Sequence, residues 1–301
     1  MSHSVRVFQV DAFTAERFCG NPAGVVLEAD AMSEQDMRAL ARELNNGDTA
    51  FLLRPDAPDH DLRVRFFTPR SEASFVGHAT LAAHAVLASL HLAPRPRQKQ
   101  KSGLVEVETL AGEPPRIAIR QPPPSLGRVL AAAELDEVLA ALALTRADLD
   151  TRCPAMIAGQ GSTRLLLGVT EASVLARVRP DLARLRTLSA QIAAPGYFLF
   201  TLRPSLAGVF SEARMFCPAL GIDEDPVSGN AHALLGAYLL QQGLLAACGA
   251  AAGAIEFTGA QGHFLGRPGR VSVALQLEQA ALRSVSIIGE AVIVFAATLA
   301  F

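Results

Sequence analysis

Hydrophobic and polar residues alternate over 62–67, the period-two pattern of a half-buried strand. After Gly77 the pattern changes. The chain becomes apolar with almost no charge, and Leu81, Val86, Leu87 and Leu90 supply the contacts of a helix buried on all sides. A second helix of this kind starts at Gly229. Shorter runs predict strands over 5–10, 25–28, 49–53, 104–109 and 116–120. They continue over 164–169, 197–202, 208–216, 255–258, 270–277, 284–288 and 291–297. Residues 20–24 read as a turn, and Ser33 with Asp36 as a capping box opening a helix to about Leu44. Further helices are predicted over 132–144, 172–177 and 181–190. Gln121-Pro122-Pro123-Pro124 is the best linker, because consecutive prolines favour an extended spacer. The predicted lobes are therefore 1–122 and 123–301, with the last strand a candidate to cross back to the first lobe.

The two uncharged helices belong to a repeat. Arg65-Phe67-Pro69 matches Arg214-Phe216-Pro218, and Glu72-Gly77-Ala79 matches Glu224-Gly229-Ala231. Two copies suggest duplicated halves rather than a solenoid, which needs at least three. Each half reads as mostly antiparallel strands wrapped round one helix, an α+β architecture with two pseudo-symmetric lobes. A glycine at a helix start leaves backbone N–H groups free, and these donors and the helix dipole favour an anion. The expectation is that the two helix starts face one cleft holding a small carboxylate-bearing metabolite.

Composition narrows the function. The chain has 301 residues, 50% hydrophobic and 19% charged, with a net charge of −2. That balance gives no reason to expect nucleic acid or a membrane surface. The start reads as no signal peptide, and no apolar run is long enough to span a bilayer. Cys19, Cys153, Cys217 and Cys248 are far apart, as free thiols in a cytoplasmic protein would be. The basic residues Arg95, Arg97, Lys99 and Lys101 read as a solvated loop. The cysteines and seven histidines show no metal-ligand spacing, so no metal is expected. GxGxxG, P-loop and GxSxG patterns are missing from the sequence.

These residues resemble the phenazine-biosynthesis PhzF-like family, which has the diaminopimelate epimerase fold. The resemblance is carried by Asp11-Ala12-Phe13, Gly20-Asn21-Pro22-Ala23, 45–51, Phe67-Thr68-Pro69, Gly77-His78-Ala79-Thr80, Gln121-Pro122, Glu224-Asp225-Pro226-Val227 with Gly229, and Gly266-Arg267-Pro268. It implies cofactor-free acid/base isomerisation, a site between two lobes, and commonly a homodimer. The family's acid/base glutamate falls on Asp48, its active-site histidine on His78 and its aspartate on Asp225. Asn230 stands where a serine often follows the second glycine. Gly77, Ala79, Gly229 and Asn230 complete the expected substrate-binding set. Aspartate is shorter than glutamate by one methylene, about 1.5 Å of reach, and this keeps open a non-catalytic binding protein on the same fold. The epimerases' two catalytic cysteines correspond to Val76 and Ser228, which disfavours a two-thiol racemase. Plainer readings remain for each residue: Asp48 in an Asx turn, His78 as a polar cap, Asp225 shaping a turn. Thr80, Glu72 and Glu224 read as caps and scaffold, and Arg267 as structural.

Overall fold

The structure is a computed structural model and describes residues 4–159, 163–248 and 253–300. It forms two compact units, one of residues 1–121 with 288–301 and one of 122–287. Among the described residues, no helix is long and apolar enough to cross a membrane.

In the first unit the pairing order is Ala291–Ala300, Ser4–Ala12, Asn21–Leu27, Asp48–Leu53, Leu62–Phe67, Arg97–Gln100, Gly103–Leu110 and Arg116–Gln121. Asn21–Leu27 runs parallel to Asp48–Leu53, and Leu62–Phe67 parallel to Arg97–Gln100; the other pairs are antiparallel. The helix Gly77–Ser89 packs against strands from both ends of this order, so the sheet curls round it. It is buried without a break from Ala79 to Leu87, which explains its lack of charge. The outer face of the sheet carries the helix Glu34–Leu44. There Met37, Leu40 and Ala41 pack with Val5, Val7, Val26 and Phe51. Ser33 and Asp36 form the expected capping box.

The second unit repeats this connectivity. Leu126–Val129, Met156–Ala158 and Arg164–Val169 are antiparallel neighbours, and Arg164–Val169 runs parallel to Gly196–Thr201. Ser211–Cys217 follows antiparallel, then Ala254–Gln261 parallel, then Gly269–Glu278 antiparallel. The helix Gly229–Gln241 is buried from Ala231 to Leu239. The helices Ala132–Ala141 and Leu182–Ile192 cover the outer face through Val138, Leu185, Leu188 and Ile192.

The matched Arg-x-Phe and Glu residues have one physical cause in both copies. Arg65 donates from Nε and Nη2 to the Glu72 carboxylate at 2.8 and 3.1 Å, and its guanidinium lies 5.0 Å over the Phe67 ring. Arg214 donates to Glu224 at 2.9 and 2.8 Å and lies 4.9 Å over Phe216. Each arginine ties the short strand before a central helix, Glu72–Ala73 or Ile222–Asp225, to the longer strand carrying it. A bidentate, stacked guanidinium suits that task because its donors form a planar fork.

Two local expectations are corrected. Residues 21–24 belong to the strand Asn21–Leu27 rather than to a turn, because Asn21, Pro22, Ala23 and Gly24 pair with Ser4–Ala12. The basic run is no solvated loop: Arg97–Gln100 is a strand, with Gln98 and Gln100 buried while Arg97 pairs with Asp61 at the surface. Lysine and arginine at alternate positions hid two inward-facing amides.

Candidate active site

Asp48 is the first residue of Asp48–Leu53, placed opposite Ala23. The turn before it is tied to the first strand by a reciprocal amide pair. Gln9 Nε2 donates to Asn46 Oδ1 at 3.0 Å, and Asn46 Nδ2 donates to Gln9 Oε1 at 2.8 Å. His78 is the second residue of Gly77–Ser89, whose N-cap, Val76, offers no side-chain acceptor. The first-turn N–H groups of a helix have no intrahelical partner, and this helix leaves them to Gly77, His78 and Ala79. Ala79 is fully buried, backbone included.

Asp48 Oδ2 and His78 Nε2 lie 3.8 Å apart, with 14% and 12% of their side chains exposed. That distance is longer than a hydrogen bond, and Nε2 is buried with no hydrogen-bond partner among the described residues. Burial lowers the imidazole pKa to about 4, so His78 is neutral at pH 7. A neutral imidazole can exchange hydrogen bonds with a reacting group without neutralising the neighbouring carboxylate. The pair therefore has the makings of an acid/base site.

Asp225, Gly229 and Asn230 lie together in the second unit on the turn into Gly229–Gln241. Ser228 is the N-cap, its hydroxyl accepting from Ala231 N–H at 3.3 Å. One turn on, His232 is fully buried, and its Nδ1 lies 2.9 Å from Ser228 O. A carbonyl only accepts, so Nδ1 carries the proton. Burial lowers His232 to about 4, leaving Nε2 as a bare acceptor. Gln261 grips the same turn, with Oε1 accepting from Ser228 N–H at 3.0 Å and Nε2 donating to Asp225 O at 2.6 Å.

Sequence reasoning missed Gln9, Gln261 and His232. The only available signal for Gln261 was its place in the repeat, at the end of the strand that runs parallel to Ser211–Cys217. Unequal loops separate the matching strands, so the correspondence with Gln100 appears only through pairing: Leu62 opposite Gln98, Ser211 opposite Gly259.

The positions that would hold thiols in a two-cysteine racemase are both helix N-caps, occupied by Val76 and Ser228. No disulfide joins the four cysteines among the described residues, and burial pushes Cys153 and Cys217 up to about 12. Neither is a ready thiolate at neutral pH. No group of three or more His, Cys, Asp or Glu residues is arranged for a metal ion among the described residues.

Residues 10–297 match the phenazine biosynthesis-like protein family. The uncharacterized isomerase YddE of Salmonella typhimurium is 38% identical over 293 residues, covering 96% of each chain. A Bacillus anthracis phenazine biosynthesis protein of the PhzF family superposes with a TM-score of 0.87 at 26% identity, covering 99% of both chains. A predicted epimerase from Pseudomonas aeruginosa gives 0.80 at 29% identity over 98% of both. The fold is that of diaminopimelate epimerase, and the chain belongs to the phenazine biosynthesis-like, or PhzF, family.

Proposed function

We propose that the protein is a cofactor-independent isomerase that moves a proton between two carbons of a small carboxylate-bearing metabolite. The observation that carries this reading is the Asp48–His78 pair: a carboxylate 3.8 Å from a neutral, buried imidazole nitrogen that has no hydrogen-bond partner among the described residues. Relatives named as isomerases support the coarser part.

In the reaction, Asp48 takes a proton from a C–H activated by the substrate's unsaturation. The C–H electron pair moves into the conjugated system, the double bond shifts, and the same proton is returned to a different carbon. Nothing is oxidised or reduced, so no co-reactant is needed. His78 holds the reacting part of the substrate by a hydrogen bond. Its neutrality matters, because an imidazolium at 3.8 Å would pair with Asp48 and weaken it as a base. The free N–H groups of the Gly77 helix start hold the substrate's carboxylate. Gly229 and Asn230 form a second helix start of the same kind.

The test is solvent exchange. A panel of cyclic and acyclic unsaturated carboxylates is incubated in D₂O with the protein, and loss of the C–H signal is followed by NMR. Asp48→Asn should slow exchange by about 10²–10⁴-fold, the usual contribution of a general base, with the melting temperature held. An Asn variant that exchanges as fast as wild type sinks the assignment. The shorter aspartate favours a second reading, a binding protein that has lost its chemistry. Wild type that binds members of the panel and exchanges none supports that reading instead.

A further inference from the structure

We propose that Gln261 is the positioning residue of the second helix start: its carboxamide holds the Asp225–Ser228 turn at both ends and so sets where Asp225 and the Gly229 and Asn230 N–H groups point. The inference rests on the proposed isomerase only for what those groups bind, not for the clamp itself.

The geometry is specific. One planar amide donates to Asp225 O at 2.6 Å and accepts from Ser228 N–H at 3.0 Å, bridging the two ends of the turn. Gln261 is 1% exposed, so water does not compete for either bond. The next residue supplies the other wall of the mould. Gly262 has φ +90°, and a Cβ there would stand 2.8 Å from Pro226 O and 2.2 Å from Arg267 O. Backbone therefore packs directly on the middle of the turn while the Gln261 side chain holds its ends. Pro226 removes one more backbone freedom by fixing its own φ.

The repeat shows that the clamp is not a by-product of the fold. Gln100 holds the matching place in the first unit and is also buried, but its amide is used elsewhere. It accepts from Gln98 Nε2 at 2.9 Å and donates to Ser102 Oγ at 2.8 Å. The same residue in the same place of the same topology is thus turned onto the helix start only in the second unit. That is also the unit whose start carries a side-chain cap, Ser228, and a second grip, from His232 on Ser228 O.

Amide hydrogen exchange by NMR tests this on the full chain. In Gln261→Leu the Ser228 amide loses its acceptor, and its protection should fall at least about 10-fold, a loss of one buried hydrogen bond, while Leu234 and Leu235 at the helix centre keep theirs. Gln261→Glu, in its ionised form, retains an acceptor for Ser228 N–H and loses the donor to Asp225 O. It should restore Ser228 protection while Gly229 and Asn230 amide shifts still differ from wild type. A uniform fall across the helix in Gln261→Leu makes Gln261 a scaffold residue and overturns the proposal, as does unchanged Ser228 protection. Titration with inorganic phosphate forms a separate arm. Wild type should show shifts at Gly229 and Asn230, and Gln261→Leu should need roughly 10-fold more phosphate or beyond. If wild type shows none, the anion-binding part of the proposed function fails, and the exchange data alone decide the clamp.

Discussion

The two units solve one packing problem in opposite ways, and exchanging the solutions tests whether the repeat is physical. In the first unit a long strand residue, Gln98, faces a short helix residue, Thr80. The Gln98 amide is fully used, with Nε2 donating to Thr80 Oγ1 at 3.3 Å and Gln100 Oε1 at 2.9 Å, and Oε1 accepting from His84 Nε2 at 3.0 Å. At the equivalent positions of the second unit the helix residue is long, His232, and the strand residue is Gly259. A Cβ on Gly259 would lie 2.4 Å from His232 Cδ2 and 2.9 Å from Ser211 Oγ. Gly259→Gln should therefore overpack the site, at about 1–3 kcal/mol. His232→Thr leaves a gap and takes from Ser228 O its side-chain donor, though not the backbone N–H of residue 232 at 3.2 Å, for about 2–5 kcal/mol together. Simple addition would remove about 3–8 kcal/mol, much of the stability of an ordinary domain. In the double variant the new glutamine enters the space the imidazole left. There it can reach both the introduced threonine hydroxyl and Ser211 Oγ, which has no hydrogen-bond partner among the described residues. The double variant should thus be more stable than the sum of the singles by at least about 2 kcal/mol. Urea unfolding followed by tyrosine fluorescence reads the right unit, because the chain has no tryptophan and both tyrosines, Tyr197 and Tyr238, are buried in the second unit. Additivity within about 0.5 kcal/mol would refute the equivalence of the two sites.

Two further outcomes are expected. Burial lowers His78, His84 and His232 from 6.5 to about 4 each, so below pH 6.5 the unfolded chain binds protons that the native chain refuses. Stability should be full above that pH and fall towards pH 4, by about 4 kcal/mol per pH unit where all three are engaged; urea midpoints that stay level from about pH 7.5 to 5 would contradict this. Arg214 and Glu224 are 9% and 12% exposed against 27% and 17% for Arg65 and Glu72. Arg214→Met should therefore destabilise by about 3–5 kcal/mol and Arg65→Met by less than about 2 kcal/mol, and calorimetry that reverses the order would discredit burial as the cause.

What the sequence made legible is what local chemistry writes into it. The uncharged helices after Gly77 and Gly229 announced full burial, and the paired Arg-x-Phe and Glu residues announced a repeat. The motifs round Asp48, His78 and Asp225 pointed to the family. What stayed hidden depends on partners brought together by pairing. Gln98 and Gln100 sat unseen between lysine and arginine because a strand turns alternate residues to opposite faces, and a charged outer face masks a buried inner one. The exchange of Thr80 and Gln98 for His232 and Gly259 is invisible for another reason. Neither copy breaks a local rule, and only the parallel registers of Leu62 with Gln98 and Ser211 with Gly259 place the four residues in correspondence. Asp48 is placed in the same way, by a partner on another strand. Its turn is anchored through Asn46 to Gln9, a residue of another strand, so the carboxylate's position follows from tertiary pairing as well as from side-chain length. Under the proposed function, the methylene by which Asp48 falls short of the glutamate that the family resemblance implies there is then a change of reach within a fixed frame. A substrate seated about 1.5 Å closer to this strand would meet Asp48 as a longer carboxylate meets its own.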